Sequence, residues 1–385
     1  MRGSFRPRGR GSWELTIDHG RDAAGTRHRT YKTVKGTKRE AQAALTAELA
    51  ERNRGVAAFA GRLTLAEYLG QWMRDYASIR VRPATLMRYR SAINRHIVPH
   101  LGNIKLRSVR PADIQRTHRT CLEGERLSAR TVLHHHRILH EALEHAVGWQ
   151  LLASNPVDGA QPPRPERAEI QTLNPAQAAA LLAAAEGTAI GPIISMALHT
   201  GARVGEILGL RWDDIDFVRG RVAIRCTVQR ITGNGMVEGP TKTHRSQRPI
   251  SLAPEYLAEL QLHRERQEAE IVRLGDAYIR NNLVFAQALG QHFEPGQIAR
   301  SFAKLVSKLD LPAIRFHDLR HTHATLLLAQ GANPKVVSER LGHATVGLTL
   351  DRYSHVLPSV QEEAARSITG LLSAARVAAE NAVSE

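Results

Sequence analysis

Cysteine is scarce in this sequence, with only Cys121 and Cys226 among 385 residues. The two lie far apart and match no metal or redox spacing, which excludes a disulfide framework and indicates a reducing compartment. Long apolar runs are also missing: no stretch reaches the roughly 18 residues of a spanning helix, and the opening MRGSFRPRGRGSWELT has no apolar h-region. A membrane span and a signal peptide are therefore not expected, and the sequence predicts a cytoplasmic protein.

Acidic residues are too few to balance the basic ones, and the excess of basic residues is unevenly distributed along the chain. The formal net charge is +16 at pH 7. Residues 1–60 hold 13 Lys and Arg against 6 Asp and Glu, residues 61–165 hold 16 against 8, and residues 166–385 are nearly balanced at 24 against 23. A positive field of this size attracts polyanions, so composition predicts nucleic-acid binding, with a solubilising surface as the plainer alternative.

Length and hydrophobic pattern predict a multidomain protein, mainly α with small β elements. Residues 1–55 are expected to form a small β-sheet backed by one helix, because SWELTID and RHRTYKTV resemble strands. Thr37 and Glu40 then form a capping-box pattern, and Ala41 and Leu45 follow at helical spacing. A small basic sheet of this kind can place a strand face in a DNA groove.

Residues 63–157 have helical periodicity throughout and predict an all-helical domain of four helices. The last helix, expected to begin after Ser128, carries a basic stripe of Arg130, His134 and Arg137. Such a stripe is typical of a phosphate or groove contact, although a solvated face is equally common. His136 and His140 have metal-ligand spacing, but no third ligand is evident, so no metal site is predicted.

A Pro-rich hinge, SNPVDGAQPPRPERAE at 154–169, precedes a mixed α+β domain predicted over 168–385. Its strands RVAIRCTVQRI and MVEGPTKTHRSQRPISL flank a TGNG turn signal. The chain ends in an amphipathic segment with an apolar patch of Ile368, Leu371 and Leu372.

Four stretches of this last domain place charged or titratable residues in apolar settings: HTGARVGEILGLRWDDID, GPTKTHRSQRPISL, FHDLRHTHATLLLAQG and LGHATVGLTLDRYSHV. Each is weak evidence alone. A lone tyrosine on a helix usually packs its ring, a lysine on a hairpin is usually a surface residue, and an arginine near a glutamate is often a structural ion pair.

Together, and in this order, these motifs resemble the tyrosine recombinase family, the phage-type integrases. The resemblance implies a catalytic domain over 168–385 with a C-terminal helical tail, a SAM-like core-binding domain over 63–157 and an arm-type DNA-binding domain over 1–55. It implies that Tyr353 attacks the scissile phosphate and forms a 3′-phosphotyrosyl link. The other catalytic positions that it implies are Arg203, Lys242, His317, Arg320 and His343.

The chemistry of these residue types agrees with the resemblance. Two guanidiniums, Arg203 and Arg320, can clamp the non-bridging oxygens of a phosphodiester through paired hydrogen bonds. A tyrosine with a reference pKa near 10 needs a base or a positive field, and His317 is the candidate partner. The resemblance gives Lys242 the protonation of the 5′-oxygen and His343 a hydrogen bond to the phosphate. No cofactor and no metal are expected in the reaction.

The leading hypothesis is therefore a site-specific integrase of a phage or mobile element, bound to the prokaryotic nucleoid. The expected partners are double-stranded DNA with core-type and arm-type attachment sites, and three further copies in a homotetramer; an excisionase and a host DNA-bending protein are family expectations. The alternatives are a type IB topoisomerase-like enzyme, a resolvase for chromosome dimers, and a DNA-binding regulator without strand exchange. In the family the C-terminal tail packs on a neighbouring protomer, but packing on its own domain is equally compatible with the sequence.

Overall fold

The computed structural model describes residues 2–9, 11–21, 27–47, 62–166, 170–231, 233, 235–240, 247–353, 366 and 368–375. The chain divides into two compact units, Met1–Arg167 and Ala168–Glu385. Among the described residues, no helix is both long and apolar enough to cross a membrane.

The first unit begins with a three-stranded antiparallel sheet of β1 (Arg2–Gly9), β2 (Ser12–Arg21) and β3 (Arg27–Lys35), in the order β1-β2-β3. Helix α1 covers residues 38–47 and packs Ala41 and Leu45 against Leu15 and Ile17 of β2. The capping box is confirmed, because the Thr37 backbone N–H donates to Glu40 Oε2 at 2.7 Å. The two predicted strands are confirmed as well, but β1 was not predicted.

The rest of the first unit is helical, as predicted: α2 (Leu65–Trp72), α3 (Ser78–Arg80), α4 (Pro83–Ala92), α5 (Val98–Leu101), α6 (Pro111–Arg119) and α7 (Ala129–Gly148). Three π-helical turns, at Met73–Ala77, Ile93–Ile97 and Thr120–Gly124, follow α2, α4 and α6. Ser128 caps α7 by accepting from the Thr131 backbone N–H. Leu139, Leu143 and Ala146 of α7 are buried, while Arg130 and Arg137 are exposed.

The second unit holds the helices α8 (Pro175–Ala185), α9 (Gly191–Thr200), α10 (Val204–Leu208), α11 (Pro254–Leu274), α12 (Pro295–Val306), α13 (Asp318–Ala329), α14 (Pro334–Leu341) and α15 (Val346–Tyr353). Strands β4 (Ile215–Asp216), β5 (Arg221–Ile224) and β8 (Arg248–Ser251) form one antiparallel sheet. Strands β6 (Cys226–Ile231) and β7 (Gly235–Pro240) form a hairpin around the predicted turn. Residues 368–375 are helical.

Helix α13 lies between two apolar clusters of the second unit, and this fixes its position. Leu319 belongs to the main core, together with Ile193 and Ile194 of α9. On the other side, Leu328 packs with Leu341 of α14 in a smaller cluster that also contains Tyr353 of α15. Residues near the start of α13 are therefore held against α9, α14 and α15 at once.

Candidate active site

The loop between α9 and α10 positions the first arginine. Gly201 ends α9 in the left-handed region at φ +64°, and a Cβ there would lie 2.6 Å from the His323 ring. Only glycine adopts this φ without strain and also leaves room for the His323 ring. The chain then turns so that Arg203 is the N-cap residue of α10.

Glu206 holds Arg203 in place from within the core. Its carboxylate is 3% exposed and accepts from the Arg203 backbone N–H at 3.0 Å and from Arg203 Nη1 at 2.7 Å. Arg248 of β8, also buried, donates Nη2 to the second carboxylate oxygen at 3.1 Å. Burial alone would raise the pKa of Glu206, but Arg248 and Arg203 together lower it, so the carboxylate stays ionised.

The second arginine, Arg320 of α13, is 3% exposed and bonded to backbone carbonyls. Its Nη1 donates to Gly201 O at 2.8 Å and its Nη2 donates to Leu341 O at 2.6 Å. Burial, and then the positive charge of Arg203, lower the pKa of Arg320 to about 9, which leaves it protonated at neutral pH. A guanidinium has five N–H donors, so three remain for an anion. Two neighbouring cations that repel each other form a site that favours a phosphate.

Tyr353 is 1% exposed, and its hydroxyl oxygen lies 2.6 Å from Nδ1 of His321. Burial raises the pKa of Tyr353 to about 12, although Arg320 and Arg352 oppose the rise. Burial, followed by the neighbouring His317 and Arg352, lowers the pKa of His321 to about 4. A protonated phenol therefore meets a neutral imidazole, and the hydroxyl can donate to Nδ1.

Two further histidines surround the arginines. His317, the N-cap residue of α13, places its ring perpendicular to that of His321 at 5.4 Å between centroids. Partial burial and the charge of Arg320 lower its pKa. His343 pairs Nδ1 with the Thr349 hydroxyl at 2.8 Å. Burial, then Arg320 and Arg203, lower the pKa of His343 to about 4.

Comparison with known protein families shows to which family the chain belongs. The sequence profile described as "Phage integrase family" matches residues 171–359, and the profile "Phage integrase, N-terminal SAM-like domain" matches residues 64–120. These matches include the segments that carry Arg203, Lys242, His317, Arg320, His343 and Tyr353. The chain belongs to the phage integrase family of tyrosine recombinases.

Relatives of this recombinase cover nearly its whole length. It is 28% identical to a "Tyrosine recombinase XerC-like" of Caldanaerobacter subterraneus, over 94% of this chain and 97% of the relative. It is 29% identical to an "Integrase" of Streptomyces ambofaciens, over 91% of each chain. The recombinase is therefore a site-specific enzyme of the tyrosine type, as the motifs predicted.

Solved structures share its fold. The Tn1549 transposon integrase in complex with transposon right end DNA has a TM-score of 0.69 at 23% identity, covering 79% of this chain and 99% of that one. A lambda integrase tetramer bound to a Holliday junction has a TM-score of 0.55 at 19% identity, covering 89% of this chain and 95% of that one. The predicted fold class is confirmed: a mainly helical recombinase with small sheets.

Five of the six predicted site residues of the recombinase meet around the start of α13. Electrostatic coupling links Arg203 and Arg320 to His317 and His343, and Arg320 to Tyr353. The sixth, Lys242, lies outside the described residues.

Sequence reasoning missed two residues of this site. In the structure, His321 is the hydrogen-bond partner of the Tyr353 hydroxyl, whereas His317 was the predicted partner. The signal was present, since His321 is four residues after His317 and so shares its helix face. Arg248, which braces Glu206, carried no signal that distinguishes it from the other basic residues of HRSQR.

Proposed function

We propose that this recombinase cuts and rejoins double-stranded DNA through a 3′-phosphotyrosyl intermediate, and so integrates or excises a phage or mobile element. The observation that carries the proposal is the buried Tyr353 hydroxyl paired with His321, beside the Arg320 guanidinium that has donors to spare.

In the proposed reaction, the Tyr353 oxygen attacks the phosphorus and the bond from phosphorus to the 5′-oxygen breaks. The phenol proton passes to His321, and Lys242 supplies a proton to the departing 5′-oxygen. Arg203 and Arg320 hold the non-bridging oxygens, on which charge accumulates in the transition state. His343 and His317 add hydrogen bonds to the same phosphate. A 5′-hydroxyl of a second duplex then reverses these steps.

The nucleophile is covered in the free chain. Because Tyr353 is only 1% exposed, DNA binding must move α15 enough for the phosphate to reach the hydroxyl. Ordered catalytic groups with a covered nucleophile suit an enzyme that must not cut DNA outside its assembled complex.

The first test uses a nicked duplex. The protein first selects the DNA that it binds from a pool of random-sequence duplexes. A nick is then placed inside the region that the bound protein protects, so that cleavage is trapped. Wild type is expected to form an adduct that survives denaturant, and Tyr353→Phe to form none. Tyr256→Phe, at another buried tyrosine of the same unit, is the matched control and should retain the adduct.

The outcomes separate the alternatives. Binding without an adduct would favour a DNA-binding regulator, and an adduct in Tyr353→Phe would mean that another residue is the nucleophile. Relaxation of supercoiled DNA by single copies, without a preferred site, would favour the topoisomerase-like alternative.

Assembly as a homotetramer on DNA is part of the proposal. In the helical residues 368–375, the side chains of Ile368, Leu371 and Leu372 are 59%, 68% and 67% exposed. An apolar patch left open on one chain is suited to burial against a neighbouring protomer. Leu371→Glu combined with Leu372→Glu should abolish assembly on paired sites while single-site binding persists; unchanged assembly would contradict packing on the neighbour.

The N-terminal sheet is proposed as the arm-type DNA-binding domain. Its solvent face presents Tyr31, 58% exposed, and the exposed Arg6 and Arg8; Arg8 donates to the hydroxyl of Thr33, two residues along β3 from Tyr31. An aromatic ring among arginines on an open sheet suits a DNA groove. Tyr31→Ala is expected to weaken binding to a second class of site while cleavage at the core site is retained. The family resemblance adds an excisionase and a host DNA-bending protein to the proposed partners.

A further inference from the structure

The helical part of the first unit contains a cluster of metal-ligating side chains that recombination does not use. His100 Nε2, Cys121 Sγ and a carboxylate oxygen of Glu125 all lie within 4.8 Å of one another. His100 Nε2 is 2.7 Å from Glu125 Oε1, and His96 Nδ1 is 2.5 Å from Glu125 Oε2. Glu125 is thus held on both oxygens by imidazoles.

Local structure explains why these residues meet. His96 and His100 are four residues apart along the stretch that runs from the π-turn Ile93–Ile97 into α5. Cys121 and Glu125 are also four residues apart, across the π-turn Thr120–Gly124. Each pair therefore shares one face of its helix. π-turns redirect side chains and are frequent at functional sites.

A small cavity adjoins the cluster at Cys121 and His96. Its volume is about 10 Å³, and its polar lining comprises His96, Thr117, His118, Cys121, His135 and His136. His118 and His135 are 5% and 8% exposed, and within the described part of the chain their Nδ1 atoms have no hydrogen-bond partner. Unpartnered buried nitrogens cost free energy that an apolar core residue would not. This region is therefore not optimised for packing alone.

From this cluster we propose a site for one divalent transition-metal ion of the zinc class, held by His100 Nε2, Cys121 Sγ and Glu125 Oε1. A donor set of nitrogen, sulfur and carboxylate oxygen suits Zn²⁺ better than it suits Mg²⁺ or Ca²⁺, which bind oxygen ligands. The second oxygen of Glu125 keeps its hydrogen bond from His96, a common second contact in metal sites. The site departs from the expectation that Cys121 belongs to no metal spacing. It is also separate from the His136 and His140 pair of α7, where His140 pairs with Asp158 at 2.9 Å.

The geometry requires only small movements. Tetrahedral zinc bonds of about 2.0–2.3 Å place ligand atoms roughly 3.3–3.8 Å apart. The widest separation here must close by about 1 Å, and the His100–Glu125 contact must open by a similar amount, which side-chain rotation provides. The side chains of His100 and Glu125 are 26% and 27% exposed, so an ion can enter from solvent.

Binding changes the protonation of one ligand. At neutral pH a cysteine side chain of ordinary pKa, about 8.5, is mostly the thiol, whereas a metal ion binds the thiolate. The sulfur–metal bond forms as the S–H proton leaves, and each bound ion therefore releases at least one proton to the buffer. The ion would connect the end of α5 to the turn after α6 and stabilise this part of the fold.

The experiment titrates the full-length chain, freed of metal by a chelator, with Co²⁺ and then displaces it with Zn²⁺. Wild type should bind one ion and show a thiolate-to-Co²⁺ charge-transfer band. Cys121→Ser should lose the band and bind at least about 100-fold more weakly. Cys226→Ser, at the only other cysteine, is the matched control and should keep both the band and the affinity.

Folding is controlled by far-ultraviolet circular dichroism of the metal-free variants. If Cys121→Ser does not fold, the partly exposed His100→Gln carries the test through a fall in Co²⁺ affinity and in proton release. Wild type without the band, a band that persists in Cys121→Ser, or one lost in Cys226→Ser would each overturn the site. None of these outcomes depends on DNA cleavage, so the proposal is independent of the recombination mechanism.

Discussion

Replacing His321 by alanine separates the base indicated by the structure from the one predicted from sequence. The Tyr353 hydroxyl is 2.6 Å from His321 Nδ1, within the range required for direct proton transfer. Loss of a positioned general base costs about 100- to 10,000-fold in rate, or roughly 2.7–5.4 kcal/mol. His321→Ala should therefore lower the rate of adduct formation by this factor, while DNA affinity is unchanged.

The assay is single-turnover adduct formation on the nicked duplex, with and without added imidazole. Imidazole can occupy the space that the substitution leaves and restore part of the rate. His317→Ala should lose less and not be rescued. His323→Ala is the matched control on the same helix, because His323 bonds to Leu198 O at 2.7 Å instead of to Tyr353.

Three results would refute this reasoning. The first is a rate for His321→Ala within about threefold of wild type, because the loss of a general base lowers the rate by far more. The second is rescue by imidazole in His317→Ala alone. The third is faster cleavage by His321→Ala, which would mean that the hydrogen bond only restrains the tyrosine before DNA binds.

Further predictions concern stability. Arg248→Leu should destabilise the second unit by about 3–5 kcal/mol in urea denaturation, because Glu206 remains buried with one partner fewer; a loss under about 1 kcal/mol would show that Arg203 suffices. Gly342→Ala should cost more than Gly331→Ala, since both have positive φ but only at Gly342 would a Cβ approach Arg248, at 3.0 Å; equal losses would refute the crowding. The pKa of His321 is about 4 in the folded chain, below its ordinary 6.5, so the unfolded chain binds a proton at a higher pH than the folded chain does. The contribution of His321 to the free energy of unfolding should therefore be fully present above about pH 6.5. It should fall toward pH 4 by up to about 1.4 kcal/mol per pH unit. His321→Asn should make that decline shallower, and an unchanged slope would contradict the assignment.

Local signals in the sequence located the first residues of some helices. Ser128 and Asn174 cap their helices as their residue types predict, because each side-chain oxygen accepts an orphan N–H of the first turn. Strand β1 gave no such signal: RGSFRPRG has two glycines, a proline and no alternation, and it is a strand because β2 pairs with it. The strand conformation of β1 therefore depends on β2 and not on a pattern in its own sequence.

The motifs predicted which residues would come together around α13, but not the contacts that they make. Arg203, Arg320 and Tyr353 are fixed by motifs, whereas the choice between His317 and His321 depends on how α15 packs on α13. That packing is tertiary and has no counterpart in local spacing. Arg248 was invisible for the same reason, since its partner Glu206 is 42 residues away.

The two carbonyls that hold Arg320 belong to residues 119 positions before it and 21 positions after it. The proposed phosphate clamp therefore exists only when α9, α13 and α14 have all reached their final places. A nascent, frayed or partly proteolysed chain could still bind DNA through its basic first unit, but it would have no assembled centre with which to break a strand. For an enzyme whose uncontrolled action would damage the chromosome of its host, completeness of folding is itself a safeguard.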